Sequence, residues 1–342
     1  MTRAEQIKVW GTLGTELKCL NGETEKSKYA EAWQIVASQA EQANSWFTGA
    51  SLTTALLGIS RMLETEQLEK WLSNYPEAGT DTGKKIGIIM AGNIPLAGFH
   101  DFMCVLLSGH TAVVKQSSSD RFLLPFIASI LFDIEPKLKS QLVIADQLKE
   151  IDAIIATGSN NTARYFEYYF GKLPHIFRKN RNSAAVITGK ENEYDFLLLG
   201  RDIFTYFGLG CRNVSKLYVP EGYRFDDLYA GLVEYGSLMQ HSRYMNNHDY
   251  HQALFLLNNE EFLTNNFLII RKEKSLSSPV GVLHYENYSN TEELNRVLDQ
   301  QKELLQCVVR KNSAVSFGQA QFPNVWDYAD GVDTMKFLSV LS

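Results

Sequence analysis

The sequence predicts an α/β protein whose first half builds a parallel sheet. Between residues 84 and 190, short apolar runs alternate with segments of helical length; the runs are KKIGIIMAGN, HTAVVKQ, QLVIAD, IDAIIATG and SAAVITG. Such alternation is typical of parallel βαβ units. Right-handed crossovers place the carboxyl ends of these strands at one sheet edge, where ligands bind.

The rest of the chain is assigned from the same kind of pattern. Residues 1–74 read as helices, and SNYPEAGTDTG reads as a loop. Helices are also predicted for PLAGFHDFMCVLLSG, SSSDRFLLPFIASILFDI and SNNTARYFEYYFG. In a second block, SKLYVPEG, HQALFLLNN and SSPVGVLHYENY are predicted strands, whereas RFDDLYAGLVEYGSLMQ and TEELNRVLDQQKELLQ are predicted helices. The tail, VSFGQAQFPNVWDYADGVDTMKFL, has no regular pattern.

Composition excludes several classes of function. The 342 residues are 45% hydrophobic and 21% charged, with a net charge of −6, which disfavours binding to nucleic acid or to an anionic membrane surface. No apolar run is long enough for a transmembrane helix, and no secretory signal is recognised. The cysteines are spaced without a CxxC or Cys/His pair, so we expect no metal site and a reduced, cytoplasmic setting; they are Cys19, Cys104, Cys211 and Cys307.

Three loops at the predicted sheet edge carry candidate binding residues. Asn93 lies in MAGNIPLAG and either forms a turn or aims its amide at a developing oxyanion. Lys115 ends HTAVVK and is either a solvated edge residue or a ligand of ribose or phosphate. Gly158 and Ser159 join a strand to a helix, as a helix cap or as a phosphate-binding turn. The spacing is not GxGxxG, so no strict dinucleotide fingerprint is present.

Cys211 lies in the stretch GLGCRN. The simpler interpretation is that Cys211 is packed in the core, because cysteine is among the most buried residue types. A nucleophile is the alternative, since the small residues before Cys211 leave access to the thiol and Arg212 would favour the reactive thiolate.

The order of these motifs resembles the aldehyde dehydrogenase superfamily. The chain is most similar to acyl-CoA reductases related to the fatty-acid reductase of bacterial bioluminescence; the similar stretches are MAGNIPLAGFHDF (90–102), FGLGCRNVSKLYVP (207–220) and WDYADGVDTMKFL (326–338). The resemblance implies an aldehyde dehydrogenase-like fold, with a parallel-sheet cofactor domain and a smaller α/β catalytic domain. The expected boundaries are 1–206 for the N-terminal helices and NADP-binding domain, 207–315 for the catalytic cysteine domain, and 316–342 for a tail packing back on the cofactor domain or active site.

The resemblance also implies an activity and residue roles. That family reduces activated fatty acyl groups to aldehydes with NADPH through an acyl-cysteine. Cys211 matches the nucleophile, and Asn93, with the backbone N–H of Cys211, matches the oxyanion site. The cofactor contacts implied are Lys115 and Ser117 for the adenosine ribose and Gly158 and Ser159 for the pyrophosphate.

Two departures from the superfamily pattern have chemical meaning. Oxidising members carry a glutamate base, but RKNRNSAAVITG has no carboxylate between Phe177 and Lys190, so the acyl-enzyme would resist hydrolysis. Ser275 lies about where a glutamate usually contacts the nicotinamide ribose, which leaves that contact to another residue.

Ser118 stands where NAD-specific members often place a carboxylate. A carboxylate there would repel a 2′-phosphate, whereas Ser118 with Lys115 would accept one. We therefore expect NADPH as the cofactor.

Other functions on the same fold stay open at this stage. They are acyl transfer through Cys211 without reduction, and reduction of an acyl phosphate. The expected substrate is an acyl-CoA, with an acyl carrier protein or a partner acyl synthetase as alternative donors. We expect no nucleic acid and no integral membrane segment, and a homodimer as the assembly.

Overall fold

The computed structural model describes residues 1–23, 26–77, 83–158 and 160–341. The α-helices are α1 (Arg3–Leu20), α2 (Ala30–Ala43), α3 (Gly49–Met62), α4 (Thr65–Leu72), α5 (Phe99–Leu107), α6 (Leu123–Ile134), α7 (Asn160–Phe170), α8 (Glu193–Phe204), α9 (Asp226–Gly231), α10 (Ser242–Leu257), α11 (Thr291–Gln300) and α12 (Thr334–Ser339). Short 3₁₀ turns span Pro136–Gln141, Thr205–Gly208, Val233–Gln240 and Ala329–Gly331.

The strands are β1 (Lys85–Ile89), β2 (Thr111–Lys115), β3 (Leu142–Ile144), β4 (Ala153–Thr157), β5 (His175–Arg178), β6 (Asn182–Val186), β7 (Val214–Pro220), β8 (Leu263–Thr264), β9 (Ile269–Lys272), β10 (Val282–Tyr288) and β11 (Leu305–Arg310). The chain divides into two compact units. The first is Met1–Asn180 with Phe322–Ser342, and the second is Arg181–Gln321.

The first unit contains a parallel sheet built from four of the five predicted runs together with β5, whereas the fifth run, SAAVITG, forms β6 in the sheet of the second unit. In the first unit the strand order is β3-β2-β1-β4-β5, and every pairing is parallel. Ile89 at the end of β1 is aligned with Lys115 on one side and with Ala156 on the other. From β1 the chain adds β2 and β3 on one side of this strand, and it then adds β4 and β5 on the other side. The strand order therefore reverses at β1. The loops after β1, β2 and β4 lie at the same edge, where ligands bind in this kind of sheet.

Helices and the C-terminal tail cover this sheet. Trp10 on α1 is fully buried and meets the rings of Phe99 and Phe102 on α5 edge to face, at 6.2 and 6.3 Å between ring centroids. The tail returns to the same helix, because the Nε2 of His100 donates to the carbonyl oxygen of Val325 at 2.7 Å. The tail segment Phe322–Ser342 thus belongs to the first unit.

The second unit contains a six-stranded sheet in the order β11-β6-β7-β10-β9-β8. Only the edge pair β8–β9 is antiparallel. Because β6 pairs with both β7 and β11, the second unit begins at Arg181 rather than at the boundary expected at 206/207. The part of the chain that returns to the first unit begins at Phe322, not at residue 316.

Some local assignments made from the sequence were wrong. HQALFLLNN was predicted as a strand, but it forms the C-terminal part of α10 and the residues that end this helix. The helix is favoured because Tyr244, His248 and Phe255 bury one of its faces. The predicted helix TEELNRVLDQQKELLQ ends at Gln300, and its last residues begin β11. Strands β5, β8, β9 and β11 were not predicted. Among the described residues, no helix has both the length and the apolar character needed to cross a membrane.

Candidate active site

The loop that carries Asn93 follows β1 and is exposed at that residue. Leu96 in this loop has φ +57°, a left-handed conformation that is strained for a branched side chain. Its N–H donates to the Oδ2 of Asp120 at 2.9 Å. A half-buried carboxylate from the next loop thus holds the Asn93 loop in place.

The surroundings of Asp120 shift the pKa of its carboxyl group. Burial raises its pKa to about 6, although hydrogen bonds from the N–H groups of Leu96 and Leu123 act to lower it. The loops after β1 and β2 also touch directly, since a Cβ on Gly92 would clash with the side chain of Ser117. These contacts explain why position 92 holds a residue without a side chain.

The loop after β2 presents the predicted ribose-binding residues. Lys115 and Ser118 are exposed, and Ser117 is half-buried. The Oγ of Ser117 accepts a hydrogen bond from the N–H of Ser119 at 3.2 Å, which closes a tight turn. No carboxylate occupies position 118, so the side chain at this position does not itself repel a 2′-phosphate.

Gly158 follows β4 at the same sheet edge. A Cβ at this position would come within 2.9 Å of the ring of Phe166 on α7. The missing side chain therefore lets the helix start close to the end of the strand, as a phosphate-binding turn requires. Ser159, the other residue predicted for this turn, lies outside the described residues.

Cys211 is exposed and lies between α8 and β7 in the second unit. Immediately before it, Tyr206, Phe207 and Gly208 all have left-handed backbone angles, with φ of 53°, 56° and 80°. Two bulky residues in succession in this region store strain that the surrounding structure must offset. We name residues 205–213 the cysteine loop.

Asn213 braces the cysteine loop from within. Its buried side-chain amide donates to the carbonyl oxygens of Asp202, Ile203 and Thr205 at 3.1, 3.3 and 2.6 Å. Its Oδ1 accepts from the N–H of Gly210 at 2.8 Å. The amide therefore caps α8 and closes the loop around Cys211. Sequence reasoning missed this residue; the available signal was an asparagine directly before a strand and two residues after the cysteine.

Two further groups fix the backbone of the cysteine loop. The fully buried hydroxyl of Ser183 on β6 donates to the carbonyl oxygen of Cys211 at 2.9 Å. The Nη1 of Arg212 donates to the carbonyl oxygen of Ala320 at 3.3 Å. All four cysteines are described, and all are thiols. The proposed effect of Arg212 on the thiolate of Cys211 stays a prediction.

The stretch where oxidising members of the superfamily carry a glutamate contains no carboxylate from residue 178 to residue 189. Glu191 is the first carboxylate after β6, and it accepts hydrogen bonds from the N–H groups of Thr188, Gly189 and Lys190 at distances from 2.9 to 3.2 Å. This carboxylate is thus committed to its own turn.

The segment 273–276 contains Ser275, where the superfamily usually has a glutamate. Ser275 is exposed, and its hydroxyl donates to the carbonyl oxygen of Ser277 at 2.9 Å. Three side chains hold this segment by its carbonyl oxygens: Lys216 binds that of Glu273, the Nδ1 of His284 binds that of Ser275 at 3.0 Å, and Ser215 binds that of Leu276 at 2.7 Å. These three hydrogen bonds fix the backbone of residues 273–276.

The predicted residues therefore fall into two groups. The first lies along the carboxyl edge of the parallel sheet and comprises Asn93, Lys115, Ser117, Ser118 and Gly158. The second is Cys211, in the other unit, with the groups that brace its loop.

Comparison with known proteins identifies what this arrangement is similar to. Residues 27–170 match the acyl-CoA reductase (LuxC) family. The resemblance inferred from the motifs is thereby confirmed. No curated protein sequence matches the chain.

Solved structures confirm the aldehyde dehydrogenase-like fold. Aldehyde dehydrogenase 21 from Physcomitrella patens, in complex with its reaction product succinate, has a TM-score of 0.62 at 16% identity, over 93% of this chain and 79% of that one. An NAD-dependent aldehyde dehydrogenase from Sinorhizobium meliloti has a TM-score of 0.62 at 12% identity, over 94% and 72%. A mutant of aldehyde dehydrogenase C from Pseudomonas syringae, in complex with NAD+ and octanal, has a TM-score of 0.60 at 12% identity, over 91% and 77%.

Proposed function

We propose that this protein reduces a fatty acyl thioester, an acyl-CoA, to the aldehyde with NADPH through an acyl-cysteine on Cys211. The observation that carries the proposal is the exposed cysteine on a braced loop of an aldehyde dehydrogenase-like fold. The match to the acyl-CoA reductase family over residues 27–170 supports acyl or aldehyde redox chemistry. A cytoplasmic location is part of this proposal.

The first unit fits a nicotinamide dinucleotide. Its parallel sheet reverses connectivity at β1, and the missing side chain of Gly158 lets α7 begin close to the end of β4. Lys115, Ser117 and Ser118 would hold the adenosine ribose and its 2′-phosphate, and the turn at Gly158 would receive the pyrophosphate. Several similar structures are complexes with NAD+, which supports this class of cofactor.

The chemistry follows from the residues of the chain. The Cys211 thiolate attacks the thioester carbonyl, the bond to the coenzyme A sulfur breaks, and coenzyme A takes a proton from solvent. When bound, NADPH supplies the hydride that reduces the acyl-cysteine carbonyl. Asn93 is proposed to donate its amide N–H to the oxyanion. Loss of the aldehyde then regenerates the Cys211 thiolate.

Within residues 178–191, the lack of a carboxylate that is not held by its own turn favours reduction over hydrolysis. An acyl-cysteine is hydrolysed when a carboxylate activates water beside it. Glu191 is held by its own turn, and residues 178–189 contribute no carboxylate. The proposed intermediate would therefore persist until the hydride arrives.

Intact-protein mass spectrometry tests the proposal. The protein is mixed with a long-chain acyl-CoA, with and without NADPH, and Cys211→Ala is compared with Cys19→Ala as the matched control. We expect an acyl adduct on the wild type and on Cys19→Ala alone, discharged as aldehyde on addition of NADPH. An adduct that NADPH does not discharge would favour acyl transfer. No adduct from acyl-CoA, but an adduct from an acyl phosphate, would change the donor.

A further inference from the structure

Asp202 is a fully buried carboxylate in the last turn of α8, close in sequence to the cysteine loop. Its Oδ2 accepts from the N–H of Gly318 at 2.7 Å, and its Oδ1 accepts from the N–H of Ala320 at 2.9 Å. A charged carboxylate with two backbone donors makes strong hydrogen bonds. Asp202 therefore fixes a turn that lies far away along the chain.

That turn leads back to the cysteine loop. The carbonyl oxygen of Ala320, whose N–H binds Asp202, accepts from Arg212 at 3.3 Å. Gly318 has φ +80°, and a Cβ there would lie 3.2 Å from the side chain of Leu198 on α8. The turn is thus packed tightly against the helix that carries Asp202, and it holds the residue directly after Cys211.

A second path joins the same residue to the loop. The main-chain carbonyl oxygen of Asp202 accepts from the side-chain amide of Asn213 at 3.1 Å. The Oδ1 of Asn213 in turn accepts from the N–H of Gly210, the residue directly before Cys211. Asp202 is consequently linked to the side chain of Arg212 after the cysteine and to the backbone N–H of Gly210 before it.

We propose that Asp202 is a positioning residue that holds Cys211 for reaction through these two paths. The inference deepens the proposed function and rests on Cys211 being its nucleophile. Asp202 itself does not act on the substrate. Its hydrogen bonds help to hold the cysteine loop in a strained conformation, in which Tyr206 and Phe207 have left-handed backbone angles.

The protonation state of Asp202 offers an experimental test of this role. Burial raises its pKa to about 7, whereas the N–H groups of Gly318 and Ala320 and the charge of Arg201 act to lower it. Tyr235 is a further titratable group that interacts with it. The carboxylate form, which accepts both N–H groups best, is therefore gained as pH rises through about 7.

Hydrogen exchange tests the proposal without substrate. In Asp202→Asn, one backbone N–H faces an NH₂ group, and we expect exchange in the peptide covering 205–213 to rise on the order of tenfold. Arg212→Met removes the link to Ala320 while leaving the carboxylate, and should raise exchange in the same peptide. Glu193→Gln, an exposed position in the first turn of α8, is the matched control.

The pattern of exchange separates positioning from general destabilisation. We expect peptides from α10 and β10 to keep their wild-type rates in both variants, and the double variant to equal the larger single effect, because both lie on one path. The wild-type rate at 205–213 should also fall as pH rises through about 7, after correction for intrinsic exchange, whereas that of Asp202→Asn should not.

Turnover connects the loop to the proposed reaction. With NADPH and acyl-CoA, Asp202→Asn should lower kcat on the order of tenfold and leave KM nearly unchanged, because misplacing a nucleophile affects the chemical step. Unchanged exchange at 205–213 in both Asp202→Asn and Arg212→Met would overturn the inference. If exchange responds as expected but wild-type Cys211 is never acylated, the proposed function fails and the positioning role stands. If Asp202→Asn does not fold, Arg212→Met decides alone.

Discussion

The hydroxyl of Ser183 donates to the carbonyl oxygen of Cys211 at 2.9 Å and accepts from the N–H of Cys307 at 3.2 Å. Ser183 lies on β6 and is fully buried, between the strand that follows the cysteine loop and the edge strand β11. One hydroxyl thus ties the exposed cysteine to two neighbouring strands.

Ser183→Ala should therefore destabilise the second unit. The substitution removes a hydrogen bond from each of two backbone groups, and we expect a loss of about 1–3 kcal/mol in the free energy of unfolding. Urea denaturation measures this loss. The exposed Ser277 provides the control, since Ser277→Ala keeps the backbone oxygen that its neighbour uses. Equal unfolding free energies for the two variants would contradict the expectation.

Asp120 should make stability depend on pH in the first unit. Burial raises its pKa from 3.8 to about 6 in the folded protein. A raised folded pKa means that protonation favours folding, so this contribution is present below the ordinary pKa and is lost as pH rises through about 6. Relative to Asp120→Asn, the wild type should lose stability between about pH 4 and about pH 7 in urea titrations.

The hydrogen bond from the N–H of Leu96 allows a second test of the role of Asp120. Asp120→Asn keeps an acceptor for the Leu96 N–H, whereas Asp120→Ala does not. We expect Asp120→Ala to unfold at lower urea concentration than Asp120→Asn near neutral pH, because a buried donor loses its partner. The opposite order would show that the buried charge outweighs the hydrogen bond.

Much of the first unit could be predicted because its signals are local. The runs that form β1, β2 and β4 are short, apolar and ended by glycine or polar residues, and parallel pairing then brings their loops to one edge. The bracing of Cys211 could not be predicted in this way. Asp202 and Gly318 are distant in sequence, and nothing in either local pattern states that a carboxylate from one binds the N–H of the other.

Ser118→Asp should shift the proposed cofactor preference from NADPH towards NADH. Position 118 is exposed in the turn after β2, beside Lys115, and a carboxylate there would repel the 2′-phosphate and accept from a 2′-hydroxyl. We expect the ratio of kcat/KM for NADPH to that for NADH to fall on the order of tenfold or more. Ser118→Asn, which has similar size and no charge, is the control and should change this ratio less.

Arg178 and Asp101 form a buried ion pair in the first unit. The guanidinium donates to both carboxylate oxygens at 2.6 and 3.0 Å, and also to the carbonyl oxygen of Ala329 and the hydroxyl of Thr334 in the tail. Burial acts to raise the pKa of Asp101, but the charge and hydrogen bonds of Arg178 lower it below its usual value. The pair therefore clamps the returning tail onto α5, the helix that follows the Asn93 loop.

Breaking this pair on one side should cost more than replacing both partners. Arg178→Met leaves a buried carboxylate without its cation, and we expect a loss of about 3–5 kcal/mol, whereas Arg178→Met with Asp101→Leu should recover part of it. Because the folded pKa of Asp101 is lowered, the wild-type contribution is present above the ordinary carboxyl pKa and is lost as pH falls through the folded value. Urea unfolding of the three proteins at neutral and acid pH measures both effects. A double variant less stable than Arg178→Met would mean that the tail depends on Asp101 through Thr334 rather than through the ion pair.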